Sequence, residues 1–222
     1  MPPTRPMRLL LSGFEAFGDA DRNPSREIVE SLAADPPGAV DLRTIVLPVE
    51  TEVAPDRLLD VWRSHGSDTI VMLGEAAGRA AITPEVVAIN LRDFEIADNA
   101  GRTVRNRPVV DDGPAAYFAS LPIDRLLAAI GARGVPATRS LTAGSYLCNE
   151  LSYRALHEIA VTGSTTRAGF IHVPRLPEQC VGPRSTMPSM SLATMLDGIR
   201  AAIESLRDGA GDDAGDDAGD AV

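Results

Sequence analysis

MRLLLSGF, residues 7–14, and the NPSREIVESLAAD that follows at residues 23–35 decide the class of fold. The first run is continuously apolar, the pattern of a strand buried on both faces of a parallel sheet. It ends at Gly13, with Phe14 and Phe17 beyond. In the second, Asn23 reads as an N-cap, Pro24 as the first helical residue and Glu27 as a first-turn acid, while Ile28, Val29 and Leu32 share one face. Together they make a βα unit, and the chain repeats the pattern. Residues 41–49, DLRTIVLPV, read as a strand that Pro48 ends or pushes toward an edge. Residues 51–66 read as a helix with Val53, Leu58, Leu59 and Trp62 on its buried stripe. Strands are expected at 68–74 (DTIVMLG), at 86–90 (VVAIN), in a short run ATRSLT at 137–142, and at 168–173 ending near His172. Helices are expected at about 122–131, after Cys148, and at 191–206. Residues 91–112 are polar and aperiodic, which predicts a long loop or small hairpin of the kind that often carries function. The alternation predicts an α/β domain with a mainly parallel sheet between two helical layers. Nothing divides residues 1–207, and the acidic Gly/Asp/Ala run at 208–222 reads as a disordered tail.

Composition excludes several classes of function. The chain carries 21 basic and 31 acidic residues, a net charge of −10, which argues against nucleic acid or an anionic membrane as partner. Six of the aspartates fall in the last fifteen residues, so the folded part is only mildly acidic. Two cysteines in 222 residues do not make a disulfide scaffold and suit a reducing, cytoplasmic setting. No signal-peptide core precedes Gly13, and no apolar run approaches the roughly 18 residues of a membrane span. The expectation is a soluble protein.

The stretch AGSYLCNELSY, residues 143–153, places Cys148 where a β-like run turns into a helix whose apolar residues are Leu151, Ala155, Leu156 and Ile159. Unpaired amides at a helix start favour a thiolate, so this position predicts a lowered pKa and a nucleophile. The plainer alternative is a small buried hydrophobe. Among the histidines, His157 lies nine residues along the same helix, roughly 13 Å away at 1.5 Å per residue, and is out of reach. His65 falls at the opposite sheet edge. His172 lies at the carboxyl end of a strand, the edge where open α/β sheets bind ligands. An acceptor orienting His172 could be Glu75, Glu85, Asp93 or Asp98, and spacing does not choose among them. Neither HExxH nor paired CxxC spacing occurs, so no metal site is expected, and LLLSGFEAFG lacks a phosphate-loop pattern. Cys180, in a loop with no helix start beside it, is the weaker nucleophile.

With these residues placed, the chain resembles the pyroglutamyl peptidase I family of cysteine peptidases. The resemblance rests on LLLSGFEAFG, the NPS at Asn23, GEAAGRAAITPEVVAIN, IADNAG, GPAAYFASLPI, AGSYLCN and GFIHVPRLPEQ, in one order from about Arg8 to Leu206. It implies a three-layer α/β/α sandwich, often a homotetramer, that removes an N-terminal pyroglutamyl residue from peptides without a cofactor. It implies Cys148 as nucleophile, His172 as its partner and Glu85 as the acid, with Phe14, Phe17, Tyr146, Asn23 and Glu75 at the substrate pocket. Three positions depart from the family pattern: Glu75 stands where glutamine is common, Ala77 where glycine is, and Glu95 where an arginine often lies near the active site. An added carboxylate at position 75 would repel a carboxylate-bearing ligand yet could accept a lactam N–H. Losing the arginine would remove one stabiliser of thiolate and oxyanion.

The resulting expectation is a thiol exopeptidase acting through a thioester. Two rivals keep the pocket and differ in chemistry: a non-catalytic binder of pyroglutamyl peptides, and a cysteine amidohydrolase of another small lactam or amide.

Overall fold

The computed structural model describes residues 5–208, with the side chain of Asp208 left out. In chain order the elements are β1 (Met7–Phe14), α1 (Pro24–Ala34), β2 (Val40–Leu47), α2 (Val53–His65), β3 (Thr69–Glu75), β4 (Thr83–Pro84) and β5 (Val87–Ile89). They continue with β6 (Ala116–Phe118), α3 (Ile123–Ala132), α4 (Leu147–Thr162), β7 (Arg167–Val173) and α5 (Leu192–Asp208). The main sheet runs β2-β1-β3-β7-β4, parallel except for the short antiparallel β4 at its edge.

Period-two alternation along the three central strands divides the interior into two cores. Leu9 and Leu11 of β1, Val71 and Leu73 of β3, and Ile171 and Val173 of β7 face one core, which α1, α3 and α5 close with Ile28, Leu126, Ile130 and Ile199. Leu10, Ile70, Met72, Ala168 and Phe170 face the other, closed by α2 and α4 with Leu58, Trp62, Leu151 and Leu156. The three-layer sandwich follows, because no strand of the central three has a polar face to offer water. In the same count Gly74 and His172 fall on the α4 side of the sheet.

The first βα unit forms as expected. Asn23 caps α1, its Oδ1 accepting from the Ser25 amide, and Pro24 opens the helix. β2 is an edge strand that stops one residue before Pro48. Residues 91–112 form an irregular loop closed by a bridge between Arg92 and Arg107.

VVAIN forms the expected strand, β5, which pairs antiparallel with β6, a strand that the sequence pattern did not reveal, in a separate two-stranded sheet. Asn149 of α4 donates to Ile89 O and accepts from Ile89 N, both at 2.8 Å, and so occupies the edge that a further strand would use. One reading needs correction: ATRSLT is not a strand; it contributes two isolated bridges, Ile82 to Ala137 and Glu85 to Ser140. Cys148 therefore enters its helix from a loop. The expected acidic tail at 208–222 lies outside the described residues, apart from Asp208, which ends α5.

Candidate active site

Sheet register assembles the first half of the site. His172, next to last in β7, is flanked by Gly74 of β3 and Thr83 of β4. Glu85 follows β4 directly, its amide bonded to Phe170 O at 2.9 Å, which brings its carboxylate beside the imidazole. His172 Nδ1 lies 2.7 Å from Glu85 Oε1, with both residues buried. A carboxylate on Nδ1 holds the proton there and leaves Nε2 as the basic nitrogen. Of the four acids that spacing left open, Glu85 is therefore the one at the histidine. Asp98 is spent accepting backbone amides of Thr51, Ala100 and Arg102. Asp93 pairs with Arg105.

Arg79, which the residue pattern did not single out, completes this cluster. Its Nη1 lies 2.6 Å from the same Glu85 Oε1 and also contacts Thr83 Oγ1, while Nη2 reaches Thr142 O at 3.0 Å. Burial works to raise the Glu85 pKa, but the bond to His172, then Ser140 and Arg79, hold it below the usual carboxylate range. Ser140 acts from outside hydrogen-bond geometry, since its hydroxyl donates to Thr142 O, and buried Glu85 Oε2 has no hydrogen-bond partner among the described residues. The one signal in the sequence for Arg79 was its place within GEAAGRAAITPE, six residues ahead of Glu85.

Cys148 supplies the other half. It is the second residue of α4, and the N-cap, Tyr146, makes no side-chain cap, so the first amides of the helix remain open to a ligand. Leu147 and Leu151 anchor this turn in the core, and buried Glu150 ties it to the start of α2 through Thr51 Oγ1 at 2.8 Å and the Glu52 amide at 3.1 Å. A Cβ built on Gly74 would fall 3.0 Å from Cys148 Sγ. The sulfur thus sits against β3, beside the strand position that pairs with His172.

The expected low thiol pKa is not what this setting produces. Burial pushes the Cys148 thiol up to about 12, with the Glu85 and Glu75 carboxylates adding to the rise and Arg79 opposing it. Burial also lowers the His172 pKa, against the pull of Glu85. Desolvation penalises both charges and opposes the helix start, which favours the neutral thiol and the neutral imidazole.

A cavity of about 630 Å³ opens in front of the sulfur. Phe14, Phe17, Val49, Tyr146 and Leu147 supply its apolar lining, and polar or charged residues, among them Asn23, Glu75, Arg22, Arg175 and Arg184, supply much of the rest. His172 and Glu85 do not line it; of the three, Cys148 does. The Tyr146 ring meets Phe17 at 5.6 Å and Phe94 at 4.6 Å between centroids. Phe94 is a buried support for the pocket that the sequence reading passed over. Asn23 is largely used up within the fold: Oδ1 takes the Ser25 amide and hydroxyl, and Nδ2 donates to Glu15 O at 2.9 Å. Glu75 is engaged as well, by Arg175 Nε and Gln179 Nε2, each at 2.8 Å. Glu95, at the position where an arginine was expected, is exposed on the 91–112 loop.

The remaining candidates stand apart from the site. His157 Nδ1 lies 2.9 Å from the Tyr117 hydroxyl, and His65 Nδ1 lies 2.7 Å from Ser67 Oγ. Cys180 is a free, partly exposed cysteine after the short turn Pro177–Gln179. No group of three or more metal-ligating side chains occurs among the described residues.

A profile of the pyroglutamyl peptidase family matches residues 7–208, nearly the whole described chain. The chain belongs to this family. It is 41% identical over 192 residues to the pyrrolidone-carboxylate peptidase of Vibrio vulnificus, covering 86% of this chain and 89% of that one. It is 41% identical over 196 residues to the Streptomyces coelicolor protein of the same name, covering 88% and 90%. Among solved structures, pyroglutamyl peptidase I of Bacillus amyloliquefaciens superposes with a TM-score of 0.87 at 36% identity, covering 91% of this chain and 97% of that one. The pyrrolidone carboxyl peptidase of Fervidobacterium islandicum AW-1 gives the same score and identity, covering 91% and 99%. The sandwich is thus that of the pyroglutamyl peptidases, and a thiol on an aromatic-lined pocket, with a histidine–carboxylate pair at the adjoining strand position, suits an acyl-transfer chemistry.

Proposed function

We propose that this pyroglutamyl peptidase removes N-terminal pyroglutamyl residues from peptides by thiol catalysis, with Cys148, His172 and Glu85 as its catalytic residues. The observation that carries the reading is the thiol on an aromatic-lined pocket, packed against the β3 position that pairs with a buried, oriented imidazole. The lactam is small and neutral, so it suits apolar walls; free glutamate, with two charges more to desolvate, does not.

Cys148 Sγ attacks the carbonyl carbon of the bond after the lactam ring while its proton passes to His172 Nε2. Open amides at the start of α4 stabilise the oxyanion. Collapse of the tetrahedral intermediate breaks the C–N bond, and the imidazolium returns the proton to the departing amine. Water, deprotonated by His172, then hydrolyses the thioester and regenerates the thiol. Glu85 holds the imidazole in the required tautomer throughout, and no step calls for a cofactor. Because desolvation disfavours the thiolate, the proton moves during the attack and not before it.

Release of aminomethylcoumarin from its pyroglutamyl amide by the wild type, and none by Cys148→Ala, is the expected result. Full activity in Cys148→Ala would remove the nucleophile assignment. The two free cysteines support a reducing, cytoplasmic setting, and no helix among the described residues is long and apolar enough to cross a membrane. The resemblance supports a homotetramer, which sedimentation velocity would test.

A further inference from the structure

We propose that Asn99, on the irregular 91–112 loop and outside the cavity, is a positioning residue that sets the width of the lactam pocket. The inference rests on the reading of that pocket given above. Asn99 holds two separate stretches of pocket wall. Its Nδ2 donates to Ala16 O at 2.9 Å and its Oδ1 accepts from Gly18 N at 3.1 Å, so one amide brackets Phe17 from both sides. Its own backbone N–H donates to Val49 O at 2.9 Å, and Val49 also lines the cavity.

The segment that Asn99 pins is otherwise held near its ends, by Glu15 N on Leu47 O and Asn23 Nδ2 on Glu15 O, each at 2.9 Å, and by Ala20 N on Phe17 O at 3.1 Å. Gly18 turns at a φ of 57°, and Phe17 is only partly buried, so ring burial alone does not fix its place. The opposite wall is tied to the same loop: the Tyr146 hydroxyl donates to Ala97 O at 3.1 Å, and the Tyr146 ring meets Phe17. Residues 97–99 thus fasten both aromatic walls, one from the loop after β1 and one from the N-cap of α4.

Asn99 is itself held by the turn beside it. Buried Asp98 accepts from the amides of Thr51 at 2.9 Å, Ala100 at 3.0 Å and Arg102 at 2.8 Å. Asp98 N in turn donates to Arg102 O at 2.9 Å. A carboxylate that satisfies three amides fixes a turn firmly, and the exposed amide next to it needs no burial to be well aimed.

The test separates binding from chemistry. With pyroglutamyl-aminomethylcoumarin, Asn99→Ala is expected to raise KM about tenfold, the order of two lost hydrogen bonds, and to change kcat less than about threefold. Asn99→Asp keeps the shape and the acceptor but turns a carboxylate toward Ala16 O, so it is expected to lose as much. In a Cys148→Ala background, calorimetry with pyroglutamyl-alanine is expected to show the same loss of affinity on adding Asn99→Ala, with a melting temperature within about 3 °C. Equal affinity in the two Cys148→Ala proteins, or a fall in kcat at unchanged KM, overturns the inference. If the wild type releases no aminomethylcoumarin, the functional reading fails by itself; Asn99 is then judged by calorimetry, and an absence of binding there overturns it too.

Discussion

Arg79 Nη1 lies 2.6 Å from Oε1 of Glu85, the same oxygen that receives His172 Nδ1 at 2.7 Å. One carboxylate oxygen therefore answers to a fixed cation and to the His172 imidazole together. Arg79 favours the ionised Glu85, disfavours protonation of His172 and eases ionisation of Cys148. It supplies a positive charge beside the pair, whereas Glu95, at the position where the resemblance led to an arginine, is exposed on the 91–112 loop.

Replacing Arg79 should therefore move the pH dependence. Without the cation, His172 holds its proton to higher pH, and the acid limb of kcat/KM shifts upward. Arg79→Ala is expected to lower kcat about tenfold near neutrality, with Arg79→Lys recovering part of the loss. A pH profile of kcat/KM checks this. An acid limb that stays in place in Arg79→Ala contradicts it.

The preference for a neutral pair makes its own forecast. In the proposed mechanism His172 must be unprotonated to accept the thiol proton, and its pKa is lowered from 6.5. Activity should therefore persist below pH 6.5 and disappear only as pH falls through the lowered value. A thiol at about 12 gives no rising limb in the neutral range. Alkylation of Cys148 by iodoacetamide, followed by peptide mass spectrometry to separate it from Cys180, should be slower at neutral pH than that of a small free thiol. Fast alkylation together with an activity limb centred near about pH 8 would point to thiolate formation instead.

Glu75 raises the thiol pKa from its place on the pocket wall while bound to Arg175 and Gln179. Glu75→Gln removes that charge. The alkylation rate of Cys148 should rise by about twofold to fivefold, in the direction of a more acidic thiol. Loss of the half-buried ion pair with Arg175 should cost no more than about 1 kcal/mol in a denaturant melt. A slower alkylation rate in Glu75→Gln would contradict the electrostatic account.

Gly74→Ala tests the packing of the sulfur against the sheet. The added Cβ would lie 2.7 Å from Phe170 Cζ and 3.0 Å from Cys148 Sγ. Both sit in a tightly packed layer, so a destabilisation of about 1–3 kcal/mol is expected, along with a loss of kcat exceeding any change in KM. Urea denaturation and steady-state kinetics measure the two effects. Wild-type kcat in a folded Gly74→Ala protein would mean that the sulfur need not rest on β3.

Much of this architecture is written locally. The apolar run of residues 7–14 and the N-cap signal at Asn23 depend on near neighbours alone, and both elements form where those signals lie. Which sheet a strand joins is decided at longer range. VVAIN forms its strand as its composition dictates, but in a second sheet, where Asn149 takes one edge, and that amide comes from 60 residues away. ATRSLT has strand propensity without a full ladder to join.

The sequence by itself determined the layers, the helix start at Cys148, and the strand end at His172, because periodicities of 3.6 and 2.0 and capping residues act over a few positions. The acid beside His172 was a matter of register: β4 lies antiparallel to β7, which sets Glu85 against a histidine 87 residues away. Only tertiary structure could decide the protonation of the thiol. A helix start promises a low pKa, but desolvation by everything packed around Cys148 outweighs it, and that packing is a property of the whole fold. The same holds for Arg79 and Asn99, polar residues on loops whose roles exist only once the segments they join have met.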